Sequence, residues 1–410
     1  MNAGSPQPAR YPLPTAAAGP PQGAGLRGRL GVVLFLTALF YLNFLARILP
    51  APLMPVIETD LGIGHGAAGS LFLLISAGYF VALAGSGFIS ARIHHRRTVA
   101  LSAGLMGLAL LGTALCQSLA AIRVGLVLTG FAAGLYLPSG VATLTTLIHP
   151  RDWGKAISVH ELAPNLAFAT APLVAELLLA FFTWRTAFAV VGGLSLAIGL
   201  AFLIRGPGGD LPGERPAFRV LRDLAAQPAF WLLILLFSLG ISSTLGLYTM
   251  LPLYLVAERG LDQGWANSLV AFSRMATIPT ALLGGWAADR FGTKRTIGAV
   301  LLVSGGLTAL LGVAAARWVP LLVILQPLLA VCFFPAGLSA LSAIGPPGGR
   351  NVVVSMTIPL AFLIGGGLAP TFIGMMGSHA RFGLGIALLG GALMAGGLLA
   401  LRARFPDRQE

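Results

Sequence analysis

The chain has 410 residues, of which 56% are hydrophobic and only 10% charged, and its mean hydropathy is +0.87. A soluble domain carries about 25% charged residues, so this composition excludes a water-solvated surface and requires lipid. The net charge of +13 does not indicate nucleic-acid binding, because the basic residues form short clusters between apolar stretches rather than one basic face.

In chain order, residues 1–28 are rich in Pro, Gly and Ala and read as a disordered cytoplasmic tail. The apolar run from Gly31 is too long for the core of a cleaved signal peptide and stays as the first span. Apolar segments near 31–56, 67–90, 98–118, 121–147, 156–182 and 185–205 predict a six-helix bundle over 29–205. A polar linker covers 206–227. A second bundle over 228–403 holds spans near 228–257, 264–287, 296–315, 318–343, 352–376 and 382–402, followed by a tail at 404–410. The expected fold is therefore all-α and integral to the membrane, with twelve transmembrane helices in two six-helix bundles. Cys116 and Cys332 both lie in apolar segments, which argues against a disulfide framework or a zinc site. The sequence carries no metal-ligand cluster, nucleotide-binding loop or nucleophile constellation, so no cofactor and no enzymatic activity are expected.

Charge sets the orientation. With the N-terminus inside, cytoplasmic segments hold nineteen Lys and Arg and external segments five, while Arg47 and Arg274 fall inside spans. Both termini are thus expected in the cytoplasm, the membrane being a plasma membrane of the bacterial inner-membrane kind. The two halves also repeat. Met54-Pro55 and a following Ser70-Leu71 match Leu251-Pro252 and Ser268-Leu269, and Leu137-Pro138-Ser139-Gly140 matches Phe334-Pro335-Ala336-Gly337. Two parallel repeats fit a transporter with its site at their interface near the bilayer midplane.

Between spans 8 and 9 the sequence reads Gly284-Gly285-Trp286-Ala287-Ala288-Asp289-Arg290-Phe291-Gly292-Thr293-Lys294-Arg295. It resembles the loop signature of the major facilitator superfamily, and Trp184-Arg185 with Phe188 matches a second family pattern. The resemblance covers essentially the whole chain after the tail and implies alternating-access transport by a monomer. The equivalent first-half loop keeps Arg92, Arg96 and Arg97, but has Ala91 where the family has Asp and His94 where it has Gly. Arg92, Asp289 and Arg290 are the expected gating charges, since an Asp at a helix end can pair with Arg and accept from a helix N-terminus. Topology-setting charge alone is the other reading.

Ionisable residues at membrane depth are costly and mark function by default. Arg47 lies well inside span 1 and Arg274 well inside span 8, and Arg keeps its charge there. Two such cations facing a cavity suit a small anion; the alternative is pairing with a Glu or with carbonyls freed by Pro50 and Pro52. The run from Arg47 to Met54-Pro55 resembles span 1 of organic-anion and organophosphate carriers, and Arg274 resembles the span-8 Arg of oxalate, monocarboxylate and nitrate carriers. Span 7 lacks the second Arg of the organophosphate group and span 11 lacks the Lys of the oxalate group, so no single subfamily is matched.

Asn43, Tyr136, Asn165, Tyr248 and Thr277 complete the candidate substrate site, with helix packing as each one's plainer role. Glu161, beside His160, is the candidate for proton coupling, against a gate salt bridge; Glu176 lies too far along the same span to share one site with it. The leading function is transport of a small organic or inorganic anion by proton symport or anion exchange. The competing function is proton-coupled drug or amphiphile efflux, against which Leu126 stands where the antiporter motif places an Arg, and Ala163-Pro164 and Ala171-Pro172 replace its Gly-Pro run. From another class comes a transporter-like sensor or assembly protein that moves nothing.

Overall fold

The structure is a computed structural model that describes residues 25–214, 218–342 and 350–403. The tail expected at 1–28, up to residue 24, and the tail at 404–410 lie outside the described residues, as does part of the linker. Ten helical segments among the described residues are long and apolar enough to cross a membrane. In chain order the spans are α1 (Leu26–Leu61), α2 and α3 (the two arms of His65–Leu115, joined at His94), α4 (Leu119–Leu147), α5 (Pro150–Leu179) and α6 (Trp184–Arg205). The second half has α7 (Pro228–Ala257), the more polar α8 (Gln263–Met275 continued by Thr277–Phe291), α9 (Thr293–Val313), α10 (Ala316–Leu341), α11 (residues 350–377) and α12 (Phe382–Arg402). Among the described residues, twelve helices in two six-helix halves result. A short amphipathic helix, Phe218–Ala225, lies between them.

Proline sets where these helices break. A proline ring clashes with the carbonyl four residues earlier and leaves that group without its N–H donor. The regular helix is interrupted at Leu49, Leu135, Glu161, Ala276 and Cys332, each three residues before a proline: Pro52, Pro138, Pro164, Pro279 and Pro335. Helices α7 and α11 instead widen to π-helix at Ser242–Gly246 and Leu363–Leu368. Such bulges recur at functional sites. The two π segments face each other, and a Cβ on Gly365 would stand 2.6 Å from the Ser238 carbonyl oxygen. The Gly365-Gly366-Gly367 run is therefore a place of close helix approach.

Each half packs by the same pairings, α3 on α6 and α9 on α12, and the halves meet along α2–α11, α5–α8 and α1–α7. The face bearing the chain ends and the α2–α3 and α8–α9 turns is here called the terminal face, the other the distal face. Among the described residues, hydrogen bonds between the halves lie at the centre or toward the distal face. Asn267 Nδ2 donates to the Pro52 carbonyl (3.1 Å) and to Glu176 Oε1 (2.5 Å). Gln263 Nε2 also donates to Pro52 (3.4 Å). On the opposite side of the bundle the Gly66 N–H donates to Ser378 Oγ (2.8 Å), and Thr371 Oγ1 to the Gly69 carbonyl (3.3 Å). The molecule is closed at its distal face.

Candidate functional site

Both intramembrane arginines sit two residues before a proline break and five before the proline itself, Arg47 ahead of Leu49 and Pro52, Arg274 ahead of Ala276 and Pro279. Both are buried, at 7% and 4% exposure. Neither has a carboxylate within 4.0 Å among the described residues. What surrounds them is aromatic. The Arg47 guanidinium lies 4.4 Å from the centroid of Tyr79, 4.6 Å from Phe44 and 5.6 Å from Phe362. The Arg274 guanidinium lies 4.9 Å from both Phe168 and Tyr248. A ring face attracts a cation, most strongly where water is excluded.

One carbonyl completes the second arginine's surroundings: Arg274 Nη2 donates to Thr244 O at 3.1 Å. Thr244 belongs to the π segment of α7, and its oxygen also accepts from the Leu247 N–H. The neighbouring Ser243 carbonyl is taken by Gln326 Nε2 at 2.9 Å. The Nε of each arginine is buried with no hydrogen-bond partner. The cavity beside Arg47 is lined by Phe72, Ser76, Leu245 and Thr249 as well as the rings, and holds about 20 Å³, room for a water molecule.

The arginine contacts are reciprocal between the halves. Arg47, on α1, reaches Phe362 of α11; Arg274, on α8, reaches Phe168 of α5. Phe168 also meets Phe44 at 5.0 Å and Tyr248 at 4.8 Å, and Tyr248 donates to the Phe168 carbonyl at 3.3 Å. One continuous cluster thus joins both cations at the interface of the halves.

Of the other candidate residues, Tyr248 belongs to this cluster, and Thr277 bonds the Arg274 carbonyl at 2.7 Å, securing the break beside it. Asn43 donates instead to the Ala133 carbonyl (3.2 Å) within the first half. Tyr136 is buried between helices, donating to Leu36 O at 2.7 Å and meeting His160 Nε2 at 3.1 Å. His160 is fully buried and stacks on Phe40 with ring centroids 4.6 Å apart. Its Nδ1 lies 3.5 Å from Glu161 Oε1, and the Glu161 side chain is half-exposed. Asn165 is half-buried and donates to the Glu161 carbonyl (3.2 Å). The structure therefore brings Arg47, Arg274, Tyr248 and Thr277 together, and sets Asn43 and Tyr136 into helix packing. The gating candidates Arg92, Asp289 and Arg290 lie at the terminal face, where Asp289 forms no ion pair among the described residues.

Sequence reasoning missed Phe44, Tyr79, Phe168, Phe362, Thr244 and Gln326. Phe44 stands one helical turn before Arg47, a signal that was present. The rings of α2, α5 and α11 join the site only through tertiary packing, which no spacing encodes.

The chain is thus a polytopic helical bundle with a buried polar centre between two repeated halves. The chain belongs to the Major Facilitator Superfamily, whose family model matches residues 35–279, more than half of its length. It is 27% identical over 242 residues to the purine ribonucleoside efflux pump NepI of Escherichia coli, covering 57% of this chain and 59% of that protein. It is 23% identical to the multidrug resistance protein MdtL of Klebsiella pneumoniae, over 82% of this chain and 86% of that one. The fold superposes on a bacterial homolog of the human lysosomal transporter Spinster, in an inward-facing and occupied conformation, with a TM-score of 0.76 at 18% identity. That match covers 95% of this chain and 100% of the other.

Proposed function

We propose that this transporter moves a small organic or inorganic anion by alternating access, with Arg47 and Arg274 as its binding cations. The observation that carries the reading is two buried guanidiniums faced by rings and one carbonyl, with no carboxylate beside either among the described residues. A buried, uncompensated cation costs several kcal/mol, which an anionic substrate offsets. Because each arginine reaches across to the opposite half, neutralising it changes the contacts that differ between the two end states.

Glu161 and His160 are proposed to carry the coupling proton. His160 Nδ1 lies 3.5 Å from Glu161 Oε1 while its Nε2 meets Tyr136, so that one member of the pair is buried and the other half-exposed. With the terminal face cytoplasmic, as the basic clusters favour, the hydrogen bonds at the distal face close the molecule on its outer side.

A second reading, efflux of a nucleoside or other flat amphiphile, is favoured by the five rings around the arginines and by the names of the relatives. Both readings are tested by purified protein in liposomes. Uptake of labelled small anions, of purine nucleosides and of lipophilic cations is measured with and without a pH gradient. Saturable anion uptake supports the first reading; saturable nucleoside or cation transport with no anion uptake rejects it in favour of the second.

A further inference from the structure

The α2–α3 and α8–α9 turns are equivalent in detail. His94 has φ 69° and ψ 161°, and Gly292 has φ 87° and ψ 148°. Thr98 Oγ1 donates to the His94 carbonyl (2.8 Å) as Thr296 Oγ1 donates to that of Gly292 (3.0 Å). Apart from His94 standing opposite Gly292, the turns differ in one acidic residue. Three residues before the turn stands Asp289 in the second half and Ala91 in the first.

A different part of the chain reaches the acid-free turn. After α6 the segment 206–214 folds back across it. The His95 N–H donates to Leu211 O (3.1 Å), the Arg96 N–H to Gly209 O (2.8 Å), and the Gly213 N–H to Ser90 O (3.0 Å). His95 and Arg96 are in the first turn of α3, where main-chain donors have no acceptor within the helix. Between those two carbonyls lies Asp210, whose carboxylate is 3.8 Å from the Arg96 guanidinium. Another nitrogen of that guanidinium donates to Leu203 O at 3.0 Å. The strap therefore gives the α3 N-terminus both main-chain caps and a negative charge, which the helix dipole favours. Its backbone suits this close approach, since Gly209 has φ 76° and a Cβ there would stand 2.8 Å from the Arg96 nitrogen.

We infer that Asp210 is a positioning residue that replaces the acid absent at residue 91, and that segment 206–214 is a strap belonging to the first half rather than to the connection between halves. The first-half turn is thereby fixed within its own half, and switching at the terminal face is left to the turn bearing Asp289.

Hydrogen exchange of full-length protein, followed by mass spectrometry on peptides spanning 92–100, tests this. Asp210→Asn is expected to speed exchange about threefold, as an exposed ion pair allows, and Gly209→Val about tenfold. Adding Ala91→Asp to Asp210→Asn is expected to restore the slow exchange. A strap of purely steric role gives no such rescue, so unchanged exchange in Asp210→Asn, or failure of Ala91→Asp to restore it, overturns the inference. A second measurement reads the terminal face: maleimide labelling of Ser158→Cys, an exposed residue of α5 in the part nearest its Pro150 end, in a background free of Cys116 and Cys332. Its rate is expected to change severalfold in Asp289→Asn and to stay put in Asp210→Asn; the reverse pattern overturns the assignment. Asp210 is exposed and its substitution by Asn conservative, so the test does not depend on Gly209→Val folding.

Discussion

Phe44 and Phe168 meet edge to face with their ring centroids 5.0 Å apart, and each also faces one of the two buried arginines, Arg47 and Arg274. The pair is the shortest aromatic route between the two cations. Phe168→Leu removes the ring that Arg274, Tyr248 and Phe44 share. Since a desolvated cation–ring contact is worth about 2 kcal/mol, substrate affinity is expected to fall about thirtyfold. Saturation uptake in liposomes reads it as a raised KM.

The distal face closes through Asn267, which bridges the Pro52 carbonyl of α1 and Glu176 of α5. Hydrogen bonds to a charged group contribute about 1.5–3 kcal/mol. Asn267→Ala is thus expected to raise the distally open population about tenfold or more. The readout is labelling of Ile57→Cys, a buried distal position of α1, by a membrane-impermeant maleimide. An unchanged labelling rate removes Asn267 from the gate.

His94 occupies a backbone region that is essentially reserved for glycine, at a cost of about 1–3 kcal/mol. His94→Gly should therefore raise the melting temperature in detergent, while His94→Ala should not. The converse change, Gly292→Ala, should lower it. A His94→Gly protein no more stable than the parent would contradict the strain assigned to His94.

Glu161→Gln is expected to abolish stimulation of uptake by a pH gradient while leaving exchange of substrate for substrate intact. Counterflow and gradient-driven uptake, measured on the same vesicles, separate these. Loss of both activities together would make Glu161 a substrate ligand or a structural contact instead.

The bilayer made much of this legible in advance. A chain with 10% charged residues and repeated apolar runs admits few folds, and the family signature around Asp289 narrowed these to one. Arg47 and Arg274 stood out because charge is rare at membrane depth. Their common spacing to Pro52 and Pro279 was equally readable, and it marks the helix breaks beside them. The rest depends on which helix faces which. Tyr136 and Asn43 carry the polar groups expected of a binding site, yet the rotation of α1 and α4 turns them toward Leu36, His160 and Ala133. Phe168 and Phe362 look like ordinary apolar residues until α5 and α11 bring them under the arginines. The acid missing at Ala91 is supplied at Asp210, more than a hundred positions away, beyond the reach of any local motif.

That Arg47 and Arg274 together bind an anion is tested most directly by equilibrium binding of a labelled anion that the wild-type protein transports. Arg47→Ala and Arg274→Ala are measured beside Arg47→Lys and Arg274→Lys. Each alanine variant should lose affinity by about tenfold or more, in keeping with a charged hydrogen bond. Lysine, which lacks the planar fork, should restore binding only in part. Anion binding undiminished in both alanine variants would contradict the assignment.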